Sequence, residues 1–186
     1  MVPALSLWLP ILLSAVAVFL ASSVIHMVLT YHRNDFIGLS SQDEVMAALR
    51  EFNIPPGEYI MPHCDSPRAM EDPEFKERLK NGPVGFLRVL RSEDFGMGKS
   101  LFFWFLYCLL MGFFAAYLAG RALGPGADYL AVFRFVGAAA FGGYALALLQ
   151  NSIWYKRAWV TTLKSVMDGF IYAVLTAGIF GWLWPA

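Results

Sequence analysis

The chain of 186 residues is 58% hydrophobic and 15% charged, whereas an average soluble domain carries roughly 25% charged residues. Its 14 basic and 14 acidic side chains cancel to a net charge of zero, so no overall positive charge attracts nucleic acid, and we predict no nucleic-acid partner. The composition indicates an integral membrane protein whose first partner is the lipid bilayer.

Charge is distributed unevenly along the chain. Of the 28 charged residues, 21 lie between Arg33 and Lys99, and residues 1–32 contain none. About 20 apolar residues are enough to cross a hydrocarbon core roughly 30 Å thick. Residues 1–32 therefore predict a first transmembrane helix. This segment lacks the basic start of a secretory signal peptide, and we expect it to stay attached.

Residues 33–99 predict a small cytosolic α+β insert between the first and second membrane helices. A segment of this size buries too little apolar surface to be very stable alone, so we expect it to lean on the membrane helices or on a partner. Its predicted elements are a helix after the capping-box pair Ser41 and Glu44, a helix starting at Asp72-Pro73, and strands at 58–61 and 84–90.

Four residues in the first half of the chain are of types that bind metals. Imidazole and thiolate groups are common zinc and copper ligands, but a recognisable site needs paired spacing that is absent here. We therefore predict no cofactor and keep a membrane metal-binding protein as one alternative. If no metal binds, His63 and Cys64, the two candidates in the insert, are ordinary loop residues. The four metal candidates are His26, His32, His63 and Cys64.

Three further membrane helices are predicted at about 100–121, 129–150 and 160–184. Residues 100–120 contain no charge, and Arg134 interrupts the next apolar run. A globule of this size cannot bury four helices that are apolar on all faces. The predicted fold is thus an all-α transmembrane four-helix bundle, with residues 100–186 forming its second part.

Basic residues near the predicted membrane boundaries lie mostly on one side. The positive-inside rule therefore places residues 33–99 in the cytoplasm and both termini outside. The residues on the basic side are Arg33, Arg88, Arg91, Lys99, Lys156, Arg157 and Lys164, against Arg121 on the other.

A polar stripe runs along the fourth predicted helix, where Lys164, Asp168, Tyr172 and Thr176 recur every four residues. An intramembrane carboxylate is costly and indicates a functional site. Asp168 lies only about one turn inside the boundary, however, and Lys164 is placed as an ion-pair partner. Two interpretations stay open: a proton, ion or substrate role for Asp168, and a structural one in which it pairs with Lys164 or a neighbouring helix.

Small residues also recur every four positions in the last three predicted helices. In lipid, such faces let helix backbones approach closely, so we expect these three helices to pack tightly. The pattern does not say whether the partner helix belongs to the same chain or to another copy. The faces are Gly112, Ala116 and Gly120; Ala139, Gly143 and Ala147; and Gly169, Ala173, Ala177 and Gly181.

Several short motifs resemble an uncharacterised family of small bacterial inner-membrane proteins with four transmembrane helices. The resemblance covers most of the chain from about Gly82 onward. It implies the inner, or cytoplasmic, membrane of a bacterium, and it brings no activity, ligand or catalytic residue. The motifs are Gly82-Pro83-Val84-Gly85, Gly120-Arg121-Ala122, Ser152-Ile153-Trp154-Tyr155, Thr162-Leu163-Lys164, Asp168-Gly169, Thr176-Ala177-Gly178 and Gly181-Trp182-Leu183-Trp184-Pro185.

Three classes of function remain open from the sequence. The absence of a catalytic constellation and the small-residue faces favour a non-enzymatic subunit, scaffold or assembly factor, acting as a homo-oligomer or with a membrane-protein partner. The polar stripe favours a small oligomeric transporter or channel. The histidines and Cys64 favour a metal-binding membrane protein or enzyme.

Overall fold

The computed structural model describes all 186 residues and divides into two compact units. One unit contains Met1–Phe36 and Met97–Ala186, and the other, which we call the insert, is Ile37–Gly96. The elements in chain order are α1 (Trp8–Met27, preceded by a 3₁₀ turn), α2 (Gln42–Glu51), β1 (Gly57–Met61), α3 (Pro73–Asn81), β2 (Gly85–Val89), α4 (Met97–Ala122), α5 (Tyr129–Tyr144), α6 (Leu149–Ile153) and α7 (Trp159–Trp182).

Four helical segments are long and apolar enough to cross a membrane. They are Ala4–Met27, Met97–Ala122, Tyr129–Ile153 and Trp159–Trp182, and they confirm the four helices expected from the sequence. The third is not one continuous α-helix, because α5 ends at Tyr144 and a 3₁₀ turn leads into α6.

The four long helices form a closed ring in which α1 contacts α4 and α7, and α5 contacts the same two helices. The pairs α4–α5 and α5–α7 pack closely along their backbones. Helices α4 and α7 lie diagonally across the ring and meet through side chains, such as Trp104 and Tyr172, whose ring centroids are 5.8 Å apart. The small-residue face of α4 packs on α1.

Close backbone approach explains the small-residue faces. A Cβ atom added to Gly112 would lie 3.3 Å from the carbonyl oxygen of Ile11, and one added to Gly169 would lie 2.9 Å from that of Tyr144. Both contacts are within this chain. Of the other small residues on these faces, Ala147 is exposed in the 3₁₀ turn after α5, and the rest are buried or partly buried: Ala116, Gly120, Ala139, Gly143, Ala173, Ala177 and Gly181.

The insert contains the predicted two helices and two strands. The strands pair antiparallel, with Gly57 opposite Val89. The Asp72 carboxylate caps α3 by accepting a hydrogen bond from the amide of Glu74 at 2.9 Å. The capping box at Ser41 is wrong, because α2 begins after Ser41 without a hydrogen bond from its side chain. Neither helix of the insert contains a buried residue.

Candidate functional site

Ionisable side chains come together where α1 ends and α7 begins. After Met27 the chain turns back, so that the turn 28–36 lies over the first half of α7. This turn brings residues that are more than 120 positions apart in sequence into hydrogen-bonding distance of one another. At the centre lies Asp168, of which 3% is exposed.

Asp168 is held by the turn that follows α1. The hydroxyl of Tyr31 donates a hydrogen bond to Oδ1 of Asp168. Nε2 of His32 lies 2.8 Å from Oδ2 of the same carboxylate, and Nε2 of His26 lies 4.0 Å from that oxygen. Burial raises the pKa of Tyr31, and its hydrogen bond to Asp168 adds to the rise, so this hydroxyl stays a donor.

Lys164 does not pair with Asp168, and that sequence-based alternative is wrong. Its ammonium donates to Oδ1 of Asp35 at 2.9 Å and also to the backbone carbonyl of Tyr31. Nδ1 of His32 lies 2.6 Å from the other oxygen of Asp35. Burial acts to raise the pKa of the Asp35 carboxyl, but the hydrogen bonds with His32 and Lys164 outweigh it and hold the pKa below its usual range.

The two histidines of this site are stacked, with ring centroids 4.6 Å apart. Nδ1 of His26 lies 3.0 Å from the carbonyl oxygen of Ser22. Since a carbonyl only accepts, this Nδ1 carries a proton and donates it, and Nε2 faces Asp168. His32 has a carboxylate oxygen within hydrogen-bonding distance of each ring nitrogen.

A cavity of about 540 Å³ adjoins these groups inside the bundle. Each of the four long helical segments contributes to its wall, and its lining contains no Lys or Arg. His26 and Asp168 form part of that wall. Much of the remaining surface is apolar and aromatic, from Trp104, Tyr107, Tyr144 and Tyr172.

The polar atoms of these aromatic residues are not all satisfied. The indole N–H of Trp104 donates to Oγ of Ser22 at 2.8 Å, and the hydroxyl of Tyr107 donates to the carbonyl of Gly143 at 2.8 Å. The hydroxyl of Tyr172 is buried and has no hydrogen-bond partner. An unmade buried hydrogen bond is costly, so this hydroxyl is a polar group left without a partner in a residue that lines the cavity.

The predicted polar stripe faces the interior of the bundle. Asp168, Tyr172 and Thr176 are buried, and Lys164 at its end is partly exposed. The hydroxyl of Thr176 donates to the carbonyl of Tyr172 within the same helix, so it adds no group to the cavity. Only the first three members of the stripe take part in the site.

The four metal candidates fall into two places. His26 and His32 lie together with Asp168, each offering a ligand atom within 4.8 Å of the others. His63 and Cys64 lie in the insert, where Nδ1 of His63 is 3.3 Å from a carboxylate oxygen of Asp65 and the thiol of Cys64 donates to the carbonyl of Ser66.

Sequence reasoning missed Tyr31, Asp35 and the aromatic wall. The polar run Tyr31-His32-Arg33-Asn34-Asp35, directly after an apolar helix, was a signal for the first two. Nothing in the spacing of Trp104 and Tyr144 singled them out, because aromatic residues are frequent throughout the membrane helices.

No family model, curated protein or solved structure matches this chain. Its chemistry is therefore inferred from the site alone. That site combines a buried carboxylate, two imidazoles and an aromatic cavity with one unpaired donor.

Proposed function

We propose that this protein is a membrane-embedded binding protein for a small amphiphilic molecule, which it holds in the cavity between its four long helices. The observation that carries the proposal is the cavity of about 540 Å³, which is lined by His26, by Asp168 and by Tyr172, whose buried hydroxyl has no hydrogen-bond partner. Small-molecule sites are typically concave, mostly apolar and supplied with a few converging polar groups.

The lining defines the chemistry of the molecule. The rings of Trp104 and Tyr144 suit an apolar body, and the hydroxyl of Tyr172 suits an oxygen that accepts a hydrogen bond. A phosphate or sulfate is disfavoured because no Lys or Arg lines the cavity. The occupant we propose is therefore apolar along most of its length, with an oxygen-bearing polar end.

The membrane and orientation are part of the same proposal. We place the protein in a bacterial inner membrane, with residues 33–99 in the cytoplasm and both termini outside. The support is the excess of basic residues next to the insert side of the membrane helices, together with the family resemblance. In this orientation the cavity lies at the cytoplasmic end of the bundle, where α1 ends and α4 begins.

A scaffold or homo-oligomer role stays a prediction with less support. Two of the glycines that motivated it, Gly112 and Gly169, lie against the backbone of their own chain, so they serve the packing of this bundle. The transporter alternative uses the same cavity and Asp168, and it requires binding there first.

Mass spectrometry of the molecules that co-purify with the protein tests this function. The protein is extracted from bacterial membranes into lipid nanodiscs, and its organic extract is compared with that of two variants. Leu101→Trp fills the cavity, because Leu101 is part of its wall. Leu110→Trp is the matched control on the same helix, where 61% of the side chain is exposed outside the bundle.

We expect one molecule to be enriched in the parent and in Leu110→Trp, and depleted in Leu101→Trp. Tyr172→Phe removes only the hydroxyl and should lower the amount retained. Identical extracts from the parent and Leu101→Trp, with both proteins folded, would refute a binding role for the cavity.

A further inference from the structure

His26, His32 and Asp168 form a cluster of three side chains of types that bind metal ions. Their ligand atoms lie within 4.8 Å of one another, with 2.8 Å between His32 and Asp168 and 4.0 Å between His26 and Asp168. Ligand atoms about 2.0–2.1 Å from a tetrahedral ion are about 3.3 Å apart. The two separations from Asp168 bracket that value, and the ligand atoms of the two histidines, which lie within 4.8 Å of each other, must approach by up to about 1.5 Å to complete the geometry.

The Nδ1 atoms of both imidazoles already face the kind of acceptor that metal-bound histidines use, although the stacked rings must tilt apart for both Nε2 atoms to reach one ion. In metal sites, the ring nitrogen that does not bind the ion donates to a carboxylate or a backbone carbonyl, which fixes the tautomer. Nδ1 of His26 donates to the carbonyl of Ser22, and Nδ1 of His32 faces Asp35 at 2.6 Å. Both Nε2 atoms are thereby left to face the same oxygen of Asp168.

The carboxylate ligand is supported in the same way. The hydroxyl of Tyr31 donates to Oδ1 of Asp168, which leaves Oδ2 for an ion. Lys164 holds Asp35 at 2.9 Å and so fixes the carboxylate behind His32. Such outer partners are a regular part of metal centres.

We propose that His26, His32 and Asp168 bind one divalent transition-metal ion of the Zn²⁺ or Fe²⁺ type. Two nitrogens and one oxygen are the donors that these ions accept, whereas Mg²⁺ and Ca²⁺ prefer oxygen alone. The ion takes the place of the proton shared between Nε2 of His32 and Oδ2 of Asp168.

Three protein ligands leave coordination positions free for water or another molecule. His26 and Asp168 belong to the cavity wall, so at least part of the coordination sphere faces the cavity. Tyr172, whose buried hydroxyl has no hydrogen-bond partner, lines the same cavity four residues after Asp168 on the same face of α7. An oxygen of the cavity's occupant is the natural additional ligand.

Titration with Co²⁺, whose visible absorption reports its coordination, tests the site. The full chain is purified without a histidine tag, treated with a chelator and titrated with Co²⁺ alone, followed by competition with Zn²⁺. We expect one Co²⁺ per chain, bound without a thiolate-to-cobalt band and displaced by Zn²⁺.

His26→Gln is the decisive variant, because 53% of that side chain is exposed and its substitution leaves the bonds between Asp168, Tyr31 and His32 in place. Loss of an outer partner typically weakens a site about 10–100-fold, and loss of a ligand should do no less. We expect Co²⁺ affinity to fall at least ~10-fold in His26→Gln and about 10–100-fold in Asp35→Asn.

His63→Gln is the matched control, since it replaces an exposed histidine of the insert. It should bind Co²⁺ as the parent does. Lack of saturable binding by the folded parent would overturn the proposal. So would equal affinity in His26→Gln, or a thiolate-to-cobalt band that disappears in Cys64→Ser.

The result is separable from the proposed function of the cavity. Leu101→Trp fills the cavity but keeps all three ligands, so it should still bind Co²⁺. A failed titration leaves the co-purification result standing, and the reverse also holds.

Discussion

Gly169→Ala tests whether the close approach of α7 to the end of α5 sets the stability of the bundle. The new Cβ atom would lie 2.8 Å from Cβ of Ala145 and 2.9 Å from the carbonyl oxygen of Tyr144. Carbon atoms pack favourably at about 3.5–4.0 Å, so the backbones must separate. Overpacking of this kind costs about 1–3 kcal/mol, and we expect a loss of that size in the free energy of unfolding.

Gly178→Ala on the same helix is the matched control. Its Cβ would meet only the hydroxyl of Tyr129, at 3.7 Å, which is an ordinary contact. Alanine is also the better helix former by about 1 kcal/mol, so this variant should be as stable as the parent or more so. Reversible unfolding with increasing SDS in mixed micelles, monitored by circular dichroism, gives the free energy of unfolding of each variant. Equal stability of the two variants would refute the packing argument.

Three further outcomes are expected. Lys164→Gln removes the cation that holds Asp35, so the backbone amides of the turn after α1 should exchange faster with deuterium. Unchanged exchange would show that this ion pair does not order the turn. Arg88→Ala breaks an exposed pair with Glu58 and should change the free energy of unfolding by less than about 1 kcal/mol in a thermal or denaturant titration. In the proposed orientation, a membrane-impermeant maleimide should modify Cys64 only after the cells are opened, and modification in intact cells would reverse the orientation.

The four long apolar helices were predictable because their signal is local. A charge-free run of 20 residues has few alternatives, and the segments Met97–Ala122 and Trp159–Trp182 begin and end within a few residues of their predicted bounds. The break after Tyr144 was not predictable in the same way. No proline marks it, and the end of α5 lies against Gly169 of a helix that follows much later in the chain.

The candidate site was only half predictable, because its contacts join distant parts of the chain. Asp168 was identified by the cost of a carboxylate in a membrane, and its neighbour Lys164 was the obvious partner at helical spacing. The actual partners, Tyr31 and His32, lie in a turn more than 130 residues earlier. His26 and His32 were noted for their residue type alone, since their stacking depends on where α1 stops.

The insert is joined to the bundle at the edge of the site itself. The chain enters it immediately after Phe36, one residue beyond Asp35, and leaves it at Met97, which lines the cavity. Both ends of the insert are thus covalently tied to the groups that would hold a ligand. The site around Asp168 therefore combines residues that precede the insert with residues that follow it, so it forms only when both parts of the chain have folded together.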